Sequence, residues 1–154
     1  MSRAEKRRAA RLAAVQALYE MDVSAKGVVE AMAEFEAHWI GREVDGVKLP
    51  AAEAAFFRDI LGGVVQEQRK VDRTIDDTLA EGWPLTRIEL VLRAALRAGT
   101  YELIYRKDVP VKVVISEYVA VIRAFYEGDE PGLVNAVLDK IARKARADEI
   151  STSV

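Results

Sequence analysis

Asp108 to Phe125 reads D-V-P-V-K-V-V-I-S-E-Y-V-A-V-I-R-A-F. The β-branched run Val109 to Ile115 would favour a strand on propensity alone. The apolar positions decide otherwise. Val111, Val114, Tyr118, Val121 and Phe125 recur at spacings of three, four, three and four, which is one stripe of a helix. The stripe continues for fifteen residues beyond Pro110. Pro110 suits a first helical turn, where its missing N–H has no intrahelical partner to lose.

The same periodicity extends in both directions. Gly128-Asp129 restarts the chain into a helix over about 130–147, with Val134, Val137, Leu138 and Ile141 inward. The Thr-Ser tail after Ile150 reads as frayed. Upstream, Thr86 and Glu89 form a capping box and Leu85 with Leu90 a hydrophobic staple. They open a helix that runs to about Arg106 on the seam Ile88, Leu92, Ala95, Gly99 and Leu103. Before the Gly82-Trp83-Pro84 break lie a short helix over about 71–80 (Val71, Ile75, Leu79) and a longer one over about 51–69 (Phe56, Phe57, Ile60, Leu61, Val64). The Gly62-Gly63 pair within the latter costs about 1 kcal/mol per glycine against alanine, which points to close approach by another helix.

Residues 42–50 read as a loop with an Asp45-Gly46 turn signal and Pro50 as punctuation. A helix over about 28–41 carries Val28, Met32, Phe35 and Trp39, and a first helix over about 4–22 carries Leu12, Val15, Leu18 and Tyr19. Ser24 to Gly27 separates them. The expected fold is an all-α helical bundle of six to seven helices in one domain, 1–154.

Composition excludes several functions. With 51% hydrophobic and 31% charged residues the chain is globular, not disordered. The absence of cysteine removes disulfides, thiolate metal sites and cysteine nucleophiles. A single histidine, His38, removes any two-histidine metal site and makes a Ser-His-Asp triad an improbable reading. No metal or cofactor is expected. No apolar run approaches the roughly 18 residues of a membrane span, and the basic N-terminus lacks a signal sequence's apolar stretch, so a cytoplasmic protein is expected.

The net charge of −2 conceals a polar distribution. Arg3, Lys6, Arg7, Arg8 and Arg11 crowd the first turns, where Glu5 is the one acid. Acids dominate from Glu20 to Asp59, and a second basic cluster comprises Lys140, Arg143, Lys144 and Arg146. Arg3, Arg7 and Arg11, at i, i+4 and i+8, form one line, with Arg8 on the neighbouring face beside Leu12 and Tyr19. Like charges at i, i+4 cost roughly 0.2–0.5 kcal/mol per pair, and cations in a first turn oppose the helix dipole. A phosphate-bearing ligand would offset both costs through counterion release. A solvated N-terminus is the alternative from physics alone. The ligand reading requires that these guanidinium groups are not tied up by the acidic middle of the same molecule.

Four stretches together resemble the NusB family of bacterial transcription antitermination factors. They are Arg7-Arg8-Ala9-Ala10-Arg11 with Ala14-Val15-Gln16-Ala17-Leu18-Tyr19, Arg97 to Leu103 (R-A-G-T-Y-E-L), Asp108-Val109-Pro110 with Lys112 to Glu117 (K-V-V-I-S-E), and Leu133 to Lys140 (L-V-N-A-V-L-D-K). They occur in family order and span about residues 5–145. Leu133 departs from the family's usual aromatic there, and Tyr126 from the glycine common after the phenylalanine.

The resemblance implies two packed three-helix sub-bundles, about 1–80 and 83–147. It implies binding of the boxA-like single-stranded leader of ribosomal RNA together with NusE, a small-subunit ribosomal protein. Other Nus factors and RNA polymerase would be engaged indirectly, and no reaction would be catalysed. Lys6, Arg7, Arg8 and Arg11 would contact phosphates. Tyr19 would stack on a base, or else belong to the core. Gln16, Lys112, Asp129 and Asn135 match further family positions. Asp129 equally suits a helix cap, and Asn135 in an apolar turn needs a partner for its amide. Asp76, Glu81, Trp83 and Glu89 are the candidates for the protein partner, acids suiting a basic protein and a tryptophan an interface anchor. Some family members also form homodimers.

Two rivals accompany this reading. Asp72 with Asp76, and Asp77 with Glu81, have the one-turn spacing of an acid–base pair, although helical acids at i, i+4 are commonplace. NusB-like domains also precede ribosomal RNA cytosine methyltransferases, so a stand-alone RNA or protein adaptor is the alternative function. No G-x-G-x-G nucleotide loop occurs in the chain.

Overall fold

A computed structural model describes residues 2–38, 43–44, 47–48, 51–79 and 88–152. The described residues form eight helices: α1 (Arg3–Ser24), α2 (Val28–His38), α3 (Ala51–Gln66), α4 (Gln68–Thr78), α5 (Leu90–Tyr105), α6 (Val111–Arg123), α7 (Glu130–Ala145) and α8 (Ala147–Thr152). A two-residue antiparallel ladder, β1 (Glu43–Val44) with β2 (Val47–Lys48), lies between α2 and α3. The architecture is all-α, as expected. The ladder brackets Asp45-Gly46, a favoured hairpin dipeptide that itself lies outside the described residues.

The chain divides into two compact units, 1–66 and 67–154. In the first, α1, α2 and α3 pack pairwise. Phe57, Ile60 and Leu61 are fully buried there, and Phe35 and Phe57 meet at 5.7 Å between ring centroids. The Gly62 reading finds its partner: a Cβ at Gly62 would lie 3.0 Å from Met32 Cε on α2. Ser2 caps α1, accepting from Glu5 N–H at 3.1 Å. The helix ends on Ala25 in the left-handed region, φ 57° and ψ 27°. That conformation strains an L-residue by about 1–2 kcal/mol. Glycine removes the strain and returns about 0.4–1 kcal/mol through the entropy of the unfolded chain. Ala25→Gly is therefore expected to raise stability by about 0.5–1 kcal/mol, read as a higher urea midpoint at unchanged slope; an unchanged or lower midpoint contradicts the assignment.

In the second unit α5 packs against α4, α6 and α7. All five seam residues of α5 are buried, as are Val134, Val137, Leu138 and Ile141 of α7. Four readings need correction. The helix pattern near residue 70 breaks at Glu67, and α4, read from sequence with the N-terminal sub-bundle, packs on α5 and α7. The capping box does not operate through Glu89. Glu89 is itself the N-cap residue of α5, makes no side-chain cap bond, and accepts a hydrogen bond from Tyr126 Oη at 2.6 Å. Thr86 and Leu85 lie outside the described residues. Finally, helix continues past Ile150 as α8. Phe125, assigned to the apolar stripe, is 45% exposed beyond the end of α6.

Candidate nucleic-acid interface

The N-terminal basic segment is divided between two roles. Arg11 is 2% exposed, with its guanidinium 5.0 Å from the centroid of the Phe56 ring on α3. Arg7 reaches the same ring at 4.5 Å and lies 4.0 Å from the Glu53 carboxylate. Cation–π attraction grows as the pair is desolvated, from about 0.5–1 to about 2 kcal/mol. The like-charge pair at i, i+4 is thus offset from within the molecule by an aromatic face and an acid of α3. Arg11 is a buried packing residue, not a surface phosphate contact, and Arg7 is largely engaged with α3.

A different line faces solvent. Arg8, Leu12, Gln16 and Tyr19 recur at i, i+4, i+8 and i+11, one face of α1. Arg8 and Tyr19 are exposed, and Leu12 and Gln16 half-buried, whereas Ala9, Ala10, Ala13, Ala14, Val15, Ala17 and Leu18 are covered. At 1.5 Å per residue this face runs about 16 Å from cation to aromatic ring. Arg3 is exposed and Lys6 half-buried in the turns before it. Tyr19, at 37% exposure, is therefore available for stacking and not a core residue. The signal in the sequence was the set of small residues Ala9, Ala10, Ala13, Ala14 and Ala17, which marks the packed side of α1.

The second unit holds the remaining candidates. Lys112 is exposed in the first turn of α6. Asp129 is the N-cap residue of α7 but its side chain makes no cap bond. Asn135 is exposed, so its amide is met by solvent and the argument from a buried amide does not apply. Of the partner candidates Asp76 and Glu89 are exposed, and Glu81 and Trp83 lie outside the described residues. Of the rival acid pair, Asp72 is engaged: Arg97 donates to it through Nε at 2.8 Å and Nη2 at 3.0 Å.

The motif Arg97 to Leu103 is accounted for by packing. Arg97 ties α5 to α4 through Asp72, and Gly99 admits Leu138 and Tyr118. Tyr101 stacks on Tyr105 at 5.1 Å, and Glu102, fully buried, accepts from Tyr118 Oη. Sequence reasoning missed Arg146, which was counted with the surface bases. It is 3% exposed, and its guanidinium donates to the carbonyls of Glu102, Leu103, Arg106 and Val109 at 2.7–3.0 Å and to Glu149. Glu149 in turn accepts from Val111 N–H at 2.8 Å. That backbone bond, and then Arg146, hold the Glu149 carboxyl below the ordinary carboxylate range.

The NusB family model matches residues 8–143. A protein of Rhodopseudomonas palustris (strain HaA2) named transcription antitermination protein NusB is 61% identical over 149 residues, 97% of this chain and 88% of the relative. One of the same name from Nitrobacter hamburgensis is 59% identical over 149 residues, 97% and 93% of the two chains. Among solved structures, T. maritima NusB superposes with a TM-score of 0.79 at 26% identity, covering 94% of this chain and 96% of that one. A crystal structure of antitermination factors NusB and NusE in complex with dsRNA shares the fold, with a TM-score of 0.75 at 23% identity over 94% and 99%. A family match across nearly all of α1 to α7, close relatives covered almost end to end, and a shared helical fold make one assignment: the chain belongs to the NusB family.

Proposed function

We propose that this chain is a transcription antitermination factor that grips boxA-like single-stranded RNA and does so jointly with NusE. The observation that carries the reading is the exposed face of α1, where Arg8, Gln16 and Tyr19 stand in line, with Lys6 two residues before Arg8 in the same basic segment. A cation for the phosphates, an amide for a base edge and an exposed ring for stacking are the parts that single-strand recognition uses. Lys112, Asp129 and Asn135 offer a second group of polar contacts in the other unit. Asp76 and Glu89 would meet the basic ribosomal partner, as would Glu81 and Trp83. Other Nus factors and RNA polymerase would be reached through this assembly. The chain works by binding and not by catalysis, and it works in the cytoplasm. No helix among the described residues is long and apolar enough to cross a membrane.

The test is fluorescence anisotropy with labelled boxA RNA and a scrambled control, with and without NusE. Each phosphate contact to a single strand contributes a slope of about −0.7 to log K against log salt. Lys6→Gln with Arg8→Gln is expected to weaken binding to all sequences and to flatten that slope by about 1.4. Tyr19→Ala is expected to cost about 1–3 kcal/mol of RNA affinity with NusE binding kept. An unchanged slope in the double variant refutes the phosphate assignment. Arg11→Glu does not serve this purpose, because it would bury a carboxylate against Phe56 and act through stability.

A further inference from the structure

The second unit contains a concave site that RNA recognition by α1 does not use. A cavity of about 440 Å³ opens among α4, the end of α5 and the last turn of α7. Ile104, Ile141 and Ala145 supply apolar surface, and Lys70, Lys107 and Lys144 stand around it. A hollow of about 280 Å³ continues past Lys107 and Lys144, with Arg146 in its wall. The larger cavity lies in the range of about 300–1,000 Å³ typical of small-molecule sites.

Its donors are cationic. All three lysines are exposed, and none makes an ion pair among the described residues; Lys70 Nζ lies 5.5 Å from the centroid of the Tyr105 ring. Asp77 is the one acid among the described residues lining the larger cavity, against three lysines, while Asp148 and Glu149 line the adjoining hollow with Arg146. Thr74 and Thr78 donate their hydroxyl protons to the carbonyls of Lys70 and Thr74, both at 2.8 Å, and offer a ligand only lone pairs. An anion would therefore be held by ammonium groups alone.

The backbone at the end of α5 does not oppose that charge. A helix C-terminus normally opposes an anion. At α5 that opposition is removed, because Arg146 occupies the carbonyls of Glu102, Leu103 and Arg106. By bonding both the Arg106 and Val109 carbonyls it also fastens the chain on either side of Lys107. Lys107 thus projects from a fixed point. Lys70 sits in the first turn of α4, where the dipole disfavours a cation and helix stability gives no reason for one.

We propose that this cavity binds a free nucleoside diphosphate, its phosphates among Lys70, Lys107 and Lys144 and its ring against Ile104 and Ile141. All of its lining residues belong to the second unit and none to α1. The test titrates the ¹⁵N-labelled full chain at low salt with ADP, with pyrophosphate, with adenosine and with single-stranded RNA. Saturable amide shifts at Lys70, Ile104, Lys107 and Lys144 are expected with ADP, weaker ones with pyrophosphate and none with adenosine. Lys107→Gln with Lys144→Gln is expected to weaken ADP binding at least about tenfold, with melting temperature and RNA affinity unchanged. The proposal is overturned if millimolar ADP produces no saturable shift at these residues, if they respond to RNA but not ADP, or if the double variant binds ADP as the parent does. RNA affinity lost through Lys6→Gln with Arg8→Gln tests the other reading separately.

Discussion

Arg146→Ala is expected to lower the free energy of unfolding by about 3–5 kcal/mol, the cost typical of removing one partner from a buried charged network. The guanidinium is 3% exposed and meets four backbone carbonyls and one carboxylate. The Leu103 carbonyl belongs to the last turn of α5, where no following helical N–H reaches it, whereas those of Glu102 and Arg106 also accept from Arg106 N–H at 2.9 Å and Val109 N–H at 3.0 Å. Arg146 is thus a C-cap supplied from forty residues downstream. Its removal strands the Leu103 and Val109 carbonyls, at about 1–3 kcal/mol each when water cannot replace the donor, against a total stability of about 5–15 kcal/mol for a native domain. Arg146→Lys should recover little of the loss, since one ammonium cannot span the acceptors that a planar fork bridges. Denaturant unfolding followed by circular dichroism measures the effect, and a loss below about 1 kcal/mol would show that the network is dispensable.

The same network gives the second unit an acid-sensitive joint. Glu149 holds the free N–H of Val111 and the Arg146 guanidinium, and both favour its carboxylate form. A carboxyl depressed in the folded state contributes stability that is present above its unfolded pKa and lost as pH falls through the folded value. The ordinary glutamate value is 4.5 and the shift is downward, so the loss begins below that pH. Glu149→Gln should remove this share of the acid dependence while destabilising the protein at neutral pH. A stability-against-pH curve whose acid limb is unchanged in Glu149→Gln would disprove the linkage.

The stripes were legible because burial follows periodicity. Val111, Val114, Tyr118 and Val121 are buried as the 3-4-3 spacing requires. Periodicity also misled. Leu61, Val64, Gln68, Val71 and Ile75 keep helical spacing straight through the break at Glu67, so the pattern gives no sign that α3 and α4 belong to different units. The α1 ladder failed for a different reason. Charge spacing on one helix cannot reveal that Phe56, more than forty residues away, meets both Arg7 and Arg11 and that Glu53 stands beside Arg7. Arg146 looked like its neighbours Arg143 and Lys144 for the same cause: its partners are carbonyls, which carry no mark in a sequence. The Asp108-Val109-Pro110 motif is part of that arrangement, since the turn before α6 supplies the Val109 carbonyl and is braced by Arg106 on Asp108 at 3.0 Å.

Gly99→Val is expected to destabilise the chain by about 3 kcal/mol or more, at the upper end of overpacking costs. A Cβ at Gly99 would stand 2.9 and 3.1 Å from the two methyls of Leu138 on α7 and 3.3 Å from Tyr118 Cδ2 on α6. Leu138 and Tyr118 are fully buried, and Tyr118 is further held by its hydrogen bond to Glu102, so neither has space into which to retreat. Alanine at the same position places one carbon in the clash but regains about 1 kcal/mol of helix propensity, so its net cost should be small. The diagnostic is the pair. Leu138→Ala alone should cost about 2–5 kcal/mol through the cavity it opens. In that background the Gly99→Ala methyl enters the space that Leu138 vacated, and its effect should change from neutral or unfavourable to favourable. The double-mutant cycle is therefore expected to show about 1–2 kcal/mol of favourable coupling. Effects that add to within about 0.3 kcal/mol would mean that α5 and α7 do not meet at this glycine.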